Sequence, residues 1–251
     1  GVQTCALPIC FQAVAMDKVF PVREHQFSET LGSHRELWPF FKRAEELGMP
    51  IILHNVQHGH RISNLMIFQR DGLDTLCPAE GQMSLSSLCT SGLFDDFPNL
   101  KMVFTEAGSA FIKPLIERLD AAYVKPPLNY EDEDATARFH RRVQPVSERL
   151  SAGKRLTTLE QYEARNKLPA SEYFKKNIFF TIETEEPELP DSIQMLGASQ
   201  FLFATDYPHD DPGGRMKYKD VQLLRDHTKI SEEDKDIIRY KSAAAMLPAL
   251  N

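Results

Sequence analysis

The chain is most informative first in what it lacks. No apolar run approaches the roughly 20 residues that a membrane-spanning helix requires, so a membrane partner is not expected. There is no basic surplus: 29 Lys and Arg stand against 36 Asp and Glu, for a net charge of −7 over 251 residues. Without a positive field, nucleic acid is not expected as a partner either. Cysteine is scarce, with Cys5, Cys10, Cys77 and Cys89 at no metal-ligand spacing such as C-x-x-C. That argues against a zinc ribbon or a disulfide scaffold, and a reduced, cytoplasmic chain is the simpler expectation. No Gly-x-Gly-x-x-Gly turn and no internal repeat occur. The first residues lack the basic start and long apolar middle of a secretory signal.

What is present is 42% hydrophobic and 26% charged residues, the balance of a globular domain. Residues 1–10, Gly-Val-Gln-Thr-Cys-Ala-Leu-Pro-Ile-Cys, resemble the translated read-through of a sequencing adapter. They are expected to be a non-native leader, with residues 11–251 forming one domain and the native gene continuing upstream. Residues 11–17 have the apolar character of a strand. Ser33-x-x-Glu36 is a capping-box pattern, in which each side chain satisfies a free N–H at a helix start. Leu37, Phe40, Phe41, Ala44 and Leu47 follow at helical spacing and Gly48 supplies the stop, predicting a helix over 35–47 with one buried face. Further helices are predicted over 84–97, closed by Pro98, over 111–123, and from Ser231-x-x-Asp234 to about residue 247. A charged stretch within about 124–176 reads as a helical insertion on the outside of the domain or over its mouth.

Between these helices lie short apolar runs at 51–53, 101–105, 178–182 and 201–205. Strands alternating with helices imply parallel pairing through helical crossovers. With no dinucleotide-binding turn, an α/β barrel of the (β/α)8 type is the expected architecture. Three of these strands run into an ionisable residue: His54, Glu106 and Asp206. Each has a plain structural role available, as a hydrogen-bonded histidine, a helix cap or an Asx turn. In a parallel barrel, however, all three meet at one mouth, about 10 Å or less apart. One imidazole and two carboxylates there suit a divalent metal with open coordination positions. Tyr207-Pro208 forces a turn after Asp206 and puts His209 three residues on. His58 and Arg61 sit on the segment after His54, where both are candidate contacts for a substrate carboxylate and a plain surface-loop role is the alternative.

Three stretches carry a resemblance. They are Leu-Gly-Met-Pro-Ile-Ile-Leu-His at 47–54, Phe-Pro-Asn-Leu-Lys-Met-Val-Phe-Thr-Glu-Ala-Gly at 97–108, and Phe-Ala-Thr-Asp-Tyr-Pro-His at 203–209. They resemble the amidohydrolase-related family, which holds metal-dependent hydrolases and the aminocarboxymuconate-semialdehyde and resorcylate-type decarboxylases. Residues 169–181 are similar to family segments leading into the seventh strand. The resemblance implies that this chain supplies strands four to eight of a (β/α)8 barrel. It implies His54 as a metal ligand after the fifth strand, and Asp206 after the eighth as a residue that binds the metal and handles protons. His209 matches the histidine of the turn and is expected near substrate.

Two departures stand out. The decarboxylases carry histidine after the sixth strand, where this chain has Glu106; a carboxylate also ligates zinc or manganese. The family's His-x-His-type motif on a first strand is absent, so the chain is expected to be the C-terminal portion of a longer protein. Five strands of eight leave open edges, and such a fragment is expected to be poorly soluble and inactive by itself. The function implied is a metal-dependent hydrolase or a non-oxidative decarboxylase acting on a small carboxylated or ester/amide substrate. Zinc is the first choice of metal and manganese the second. The other reading is a barrel with a degenerate metal site acting as a binding or scaffold protein. Homo-oligomerisation is left open.

Overall fold

A computed structural model describes residues 37–54, 81–105, 107–124, 166–205 and 218–246. The first helix, α1 (Trp38–Glu46), has Pro39 in its first turn, where a missing N–H goes unnoticed. Its N-cap is Leu37, which offers no side-chain acceptor; the Ser33-x-x-Glu36 pattern lies outside the described residues. Phe41 and Ala44 face the core. The helix ends as its sequence predicts. Gly48 takes φ +62°, its N–H reaches the Glu45 carbonyl at 2.9 Å, and the Met49 N–H reaches that of Ala44 at 2.9 Å. Those two bonds are a Schellman stop, and the left-handed residue in it favours glycine. The chain then passes through Pro50 into β1 (Ile51–His54).

A second helix is described over residues 81–90, with Leu85, Leu88 and Cys89 buried. The single helix expected over 84–97 is in fact two: the chain breaks at Ser91-Gly92 before a short α3 (Leu93–Asp96). Leu93 and Phe94 are buried there, so the break re-aims the apolar face inward. Then come β2 (Met102–Thr105) and α4 (Ile112–Tyr123), which buries Ile112, Leu115 and Ile116 at helical spacing. Of the anticipated insertion, residues 125–165 lie outside the described set. Its end is a helix, α5 (Ala170–Lys176), with Ala170, Tyr173 and Phe174 buried, leading directly into β3 (Ile178–Ile182).

After β3 come α6 (Leu189–Leu196), a 3-10 turn (Ala198–Gln200) and β4 (Phe201–Phe203). The last strand is shorter than the 201–205 expected, stopping before Ala204. The described chain closes with α7 (Tyr218–Asp226), α8 (Glu232–Asp236), a π-helical turn (Ile237–Lys241) and α9 (Ser242–Met246). Ser231 caps α8 by accepting the Asp234 N–H at 3.1 Å, as its pattern predicts. No described helix is long and apolar enough to cross a membrane.

The described strands form one parallel sheet in the order β1-β2-β3-β4. Its register aligns Ile51 with Met102, Met102 with Ile178, and Phe180 with Phe201. One face carries Ile51, Leu53, Met102, Phe104, Ile178, Phe180 and Phe201 into the main core with the helices. On the other, Val103 and Phe179 pack with Met246, Ile52 and Leu202. Burial on both faces is why these strands read as unbroken apolar runs instead of alternating ones. Phe180 is the hub, its ring centroid 6.0–6.3 Å from those of Phe104, Phe111, Phe174 and Phe201. The predicted strand over 11–17 lies outside the described residues.

Candidate functional site at the carboxyl edge of the sheet

Parallel pairing puts the carboxyl ends of the four described strands at one edge. His54 pairs in register with Thr105, and Ile182 with Phe203. Adjacent strands lie about 4.8 Å apart, so positions 54 and 105 are immediate neighbours. The Thr105 hydroxyl reinforces this by donating to the Leu53 carbonyl at 3.2 Å. His54 is thus the last residue of β1, and Glu106 follows β2 directly. Asp206 comes three positions beyond β4. The His54 side chain, Glu106, Asp206, His209, Arg61 and His58 all lie outside the described residues. Among the described residues, no group of three or more His, Cys, Asp or Glu side chains could hold a metal ion.

What is described is the scaffold around those positions, and its main feature was not visible in the sequence. The turn after β3 bonds the Glu186 N–H to the Glu183 carbonyl at 3.1 Å and aims the Glu186 carboxylate at the loop after β2. There Ser109 donates to Glu186 Oε2 from its backbone N–H at 2.5 Å and from its hydroxyl. Ser192 of α6 donates to the Ser109 carbonyl at 3.3 Å. Gly108, just before, takes φ +71°, a conformation that a side chain makes costly. Burial raises the Glu186 carboxyl above its usual range; the Ser109 and Glu183 bonds pull it down less strongly, and Glu188 adds a smaller upward push. Thr184, beside it, makes a long bond of 3.4 Å to Asp220 of α7.

An open groove of about 310 Å³ runs between this turn and the end of α7, lined by Thr184, Glu186, Pro187, Leu223, Asp226 and His227 among others. The His227 imidazole is held below its usual range by burial first, then by Lys235 and Lys229. Its Nδ1 accepts the Lys229 N–H at 3.3 Å, which suits the neutral ring.

Residues 21–249 match the family model described as Amidohydrolase. The chain belongs to the amidohydrolase family. Among curated proteins no sequence matches. Solved structures do. An amidohydrolase from Mycobacterium avium subsp. paratuberculosis aligns over 87% of this chain and 46% of its own, at 21% identity and a TM-score of 0.59. A dihydroxybenzoic acid decarboxylase from Polaromonas, with bound manganese and the inhibitor 2-nitroresorcinol, aligns over 85% and 54%, at 21% identity and a TM-score of 0.55. The 5-carboxyvanillate decarboxylase of Sphingomonas paucimobilis aligns over 84% and 52%, at 23% identity and a TM-score of 0.52. These likenesses show the amidohydrolase fold, of which the parallel sheet is the described part. The chain spans about half the length of these three structures.

An amidohydrolase of this kind is expected to use a divalent metal. The chemistry of the donor set fits one. An imidazole at 54 and carboxylates at 106 and 206 are ligands that zinc and manganese both accept, and the first two positions are at or next to paired strand ends.

Proposed function

We propose that the protein is a metal-dependent amidohydrolase-family enzyme acting on a small carboxylated substrate, by non-oxidative decarboxylation or by hydrolysis of an ester or amide. The observation that carries this reading is the common edge: the strands that lead to His54, Glu106 and Asp206 are parallel, and their carboxyl ends lie together. Enzymes on barrel folds assemble their chemistry at that edge.

His54, Glu106 and Asp206 would hold the metal, zinc first and manganese second. Once bound, it supplies a positive charge that orients and polarises a substrate oxygen. The other roles fall to side chains. Arg61 and His209 would bind the substrate carboxylate and fix its orientation. Asp206 would move a proton, giving it to the carbon that loses CO₂ in the decarboxylase version or to the leaving group in the hydrolase version. The activity is proposed for the full-length protein, since the chain matches only about half of each solved structure compared.

The test is metal analysis of the full-length protein beside its His54→Ala and Asp206→Ala variants. CO₂ release is followed from 2,6-dihydroxybenzoate and 5-carboxyvanillate. About one bound metal per chain, lost in both variants together with turnover, is the expected result. An unmutated protein that binds no metal sinks the enzyme reading. It favours a binding or scaffold protein instead, the reading that Glu106, standing where related decarboxylases have histidine, would then explain.

A further inference from the structure

Among the described residues Lys235 of α8 is the one buried lysine, 6% exposed. A lysine ammonium normally stays in water and is buried only with partners. Here Nζ donates to the Arg225 carbonyl at the end of α7 and to Glu232 Oε1, each at 2.7 Å. An ammonium has three N–H donors, and the third meets no acceptor among the described residues. A buried donor left without a partner is costly.

The same side chain lines a pocket of about 110 Å³ between β4, α7, α8 and the π-helical turn. Phe203, Val221 and Leu224 give it an apolar floor. Phe203 packs on the main core, so the pocket lies on the helix side of the sheet. The rest of the lining is charged: Arg225, Lys235 and Arg239 against one carboxylate, Glu232. Arg239 is paired with Asp236. The Glu232 side chain is 88% exposed and meets the ammonium from the pocket's rim. Arg225 is exposed, and its guanidinium has no ion pair among the described residues. A free guanidinium and a spare buried N–H are what an anion would use.

The floor narrows the choice of anion. Phosphate would lose its water against apolar side chains and gain nothing from them, whereas an alkyl chain gains by covering them. Size sets the length of that chain. An apolar cavity of about 150 Å³ holds benzene, so the smaller pocket suits a few methylene groups. We propose that this pocket binds a short-chain monocarboxylate, with its carboxylate on Lys235 Nζ and the Arg225 guanidinium and its chain on Phe203, Val221 and Leu224. The site also lies where α8 passes into a π-helical turn, a geometry that concentrates at functional sites. It uses none of the residues proposed to hold the metal.

The experiment titrates the isotope-labelled full-length protein with sodium butyrate, butyramide and sodium phosphate at constant ionic strength and follows backbone amide shifts. Butyrate should move the amides of residues 221–225 and 235–239 and saturate with a Kd of about 1 mM, ordinary for so small a ligand. Butyramide has the same shape without the charge and should bind about tenfold more weakly. Phosphate should give no saturable shift there. Val221→Phe fills the pocket and should abolish binding, as should Lys235→Met. Arg225→Gln removes only an exposed charge and should weaken binding about two- to fivefold. A metal chelator should leave the butyrate curve unchanged.

Absence of a saturable butyrate shift at these residues, at concentrations far above that Kd, overturns the proposal. So does equal binding of butyramide, because the charge would then play no part. Phosphate binding as well as butyrate overturns it too, since the apolar floor would be idle. Lys235 also ties α8 to α7, so a Lys235→Met protein that fails to fold leaves the decision to Val221→Phe. An unchanged butyrate curve in Val221→Phe places the ligand elsewhere and sinks the assignment.

Discussion

Tyr173 donates its hydroxyl to Asp95 across 2.7 Å, joining α5 to α3 through a side-chain pair 78 residues apart in sequence. The same hydroxyl accepts the Leu168 N–H at 3.0 Å, and the second Asp95 oxygen accepts the Lys167 N–H at 2.9 Å. Tyr173 is 3% exposed. Burial first, then the Asp95 bond, push its hydroxyl well above the usual range, so it keeps its proton throughout the working pH range. The pair thus pins the entry to α5 before the chain turns into β3.

Tyr173→Phe removes a donor to a carboxylate and an acceptor for a backbone N–H while keeping the ring. Hydrogen bonds to charged partners contribute about 1.5–3 kcal/mol, and a loss in that range is expected. Urea denaturation should show a lower midpoint with an unchanged slope. An unchanged midpoint would mean that water replaces the hydroxyl without cost.

Phe180→Ala should be among the most damaging single changes in the sheet. The ring is 2% exposed and meets four other aromatic rings, all held by separate elements that cannot collapse together. A loss of about 3–5 kcal/mol follows from removing so large a side chain from a packed core. Phe180→Leu should cost clearly less in the same denaturation series, and equal losses would indicate that packing at the hub is not what limits stability.

The fold was largely legible because it is written in local signals. The apolar runs at 51–53, 101–105 and 178–182 gave strands whose ends fall within a residue of the structure. Gly48 and Ser231 marked the helix ends they were expected to mark. Two errors share one cause. The break at Ser91-Gly92 and the early end of β4 at Phe203 are set by which neighbours remain to pair or pack, and a run of apolar residues does not carry that information. The site was legible only as positions. His54 at a strand tip could be read, but Glu186 could not. Nothing local separates it from Glu183, Glu185 or Glu188, and its burial depends on a serine 77 residues upstream.

Gly48→Ala isolates a backbone effect. A Cβ built there meets nothing within 4 Å, so no clash contributes. The cost is that of holding a side-chain-bearing residue at φ +62°, about 1–2 kcal/mol. Denaturation should register a loss of that size. Gly48→Asn should lose less, because asparagine tolerates the left-handed region better.

Two groups give the stability of this protein opposing pH dependences. The folded state keeps the His227 imidazole below its ordinary value of 6.5. Just under that value the unfolded chain binds a proton that the folded one does not, so stability rises with pH through this window. It is complete above 6.5, where both states are neutral, and is lost once pH falls past the folded value. Glu186 behaves in the opposite sense. Its carboxyl is raised from 4.5, so above that value the folded state holds a proton longer than the unfolded one, and stability falls as pH rises to the folded value. Urea titrations between pH 4 and 8 should therefore show a shallower rise toward pH 6.5 in His227→Asn and a smaller fall above pH 4.5 in Glu186→Gln. If His227→Asn leaves the slope below 6.5 untouched, burial and the neighbouring Lys235 and Lys229 charges do not hold the imidazole down, and the pH dependence there must come from other groups.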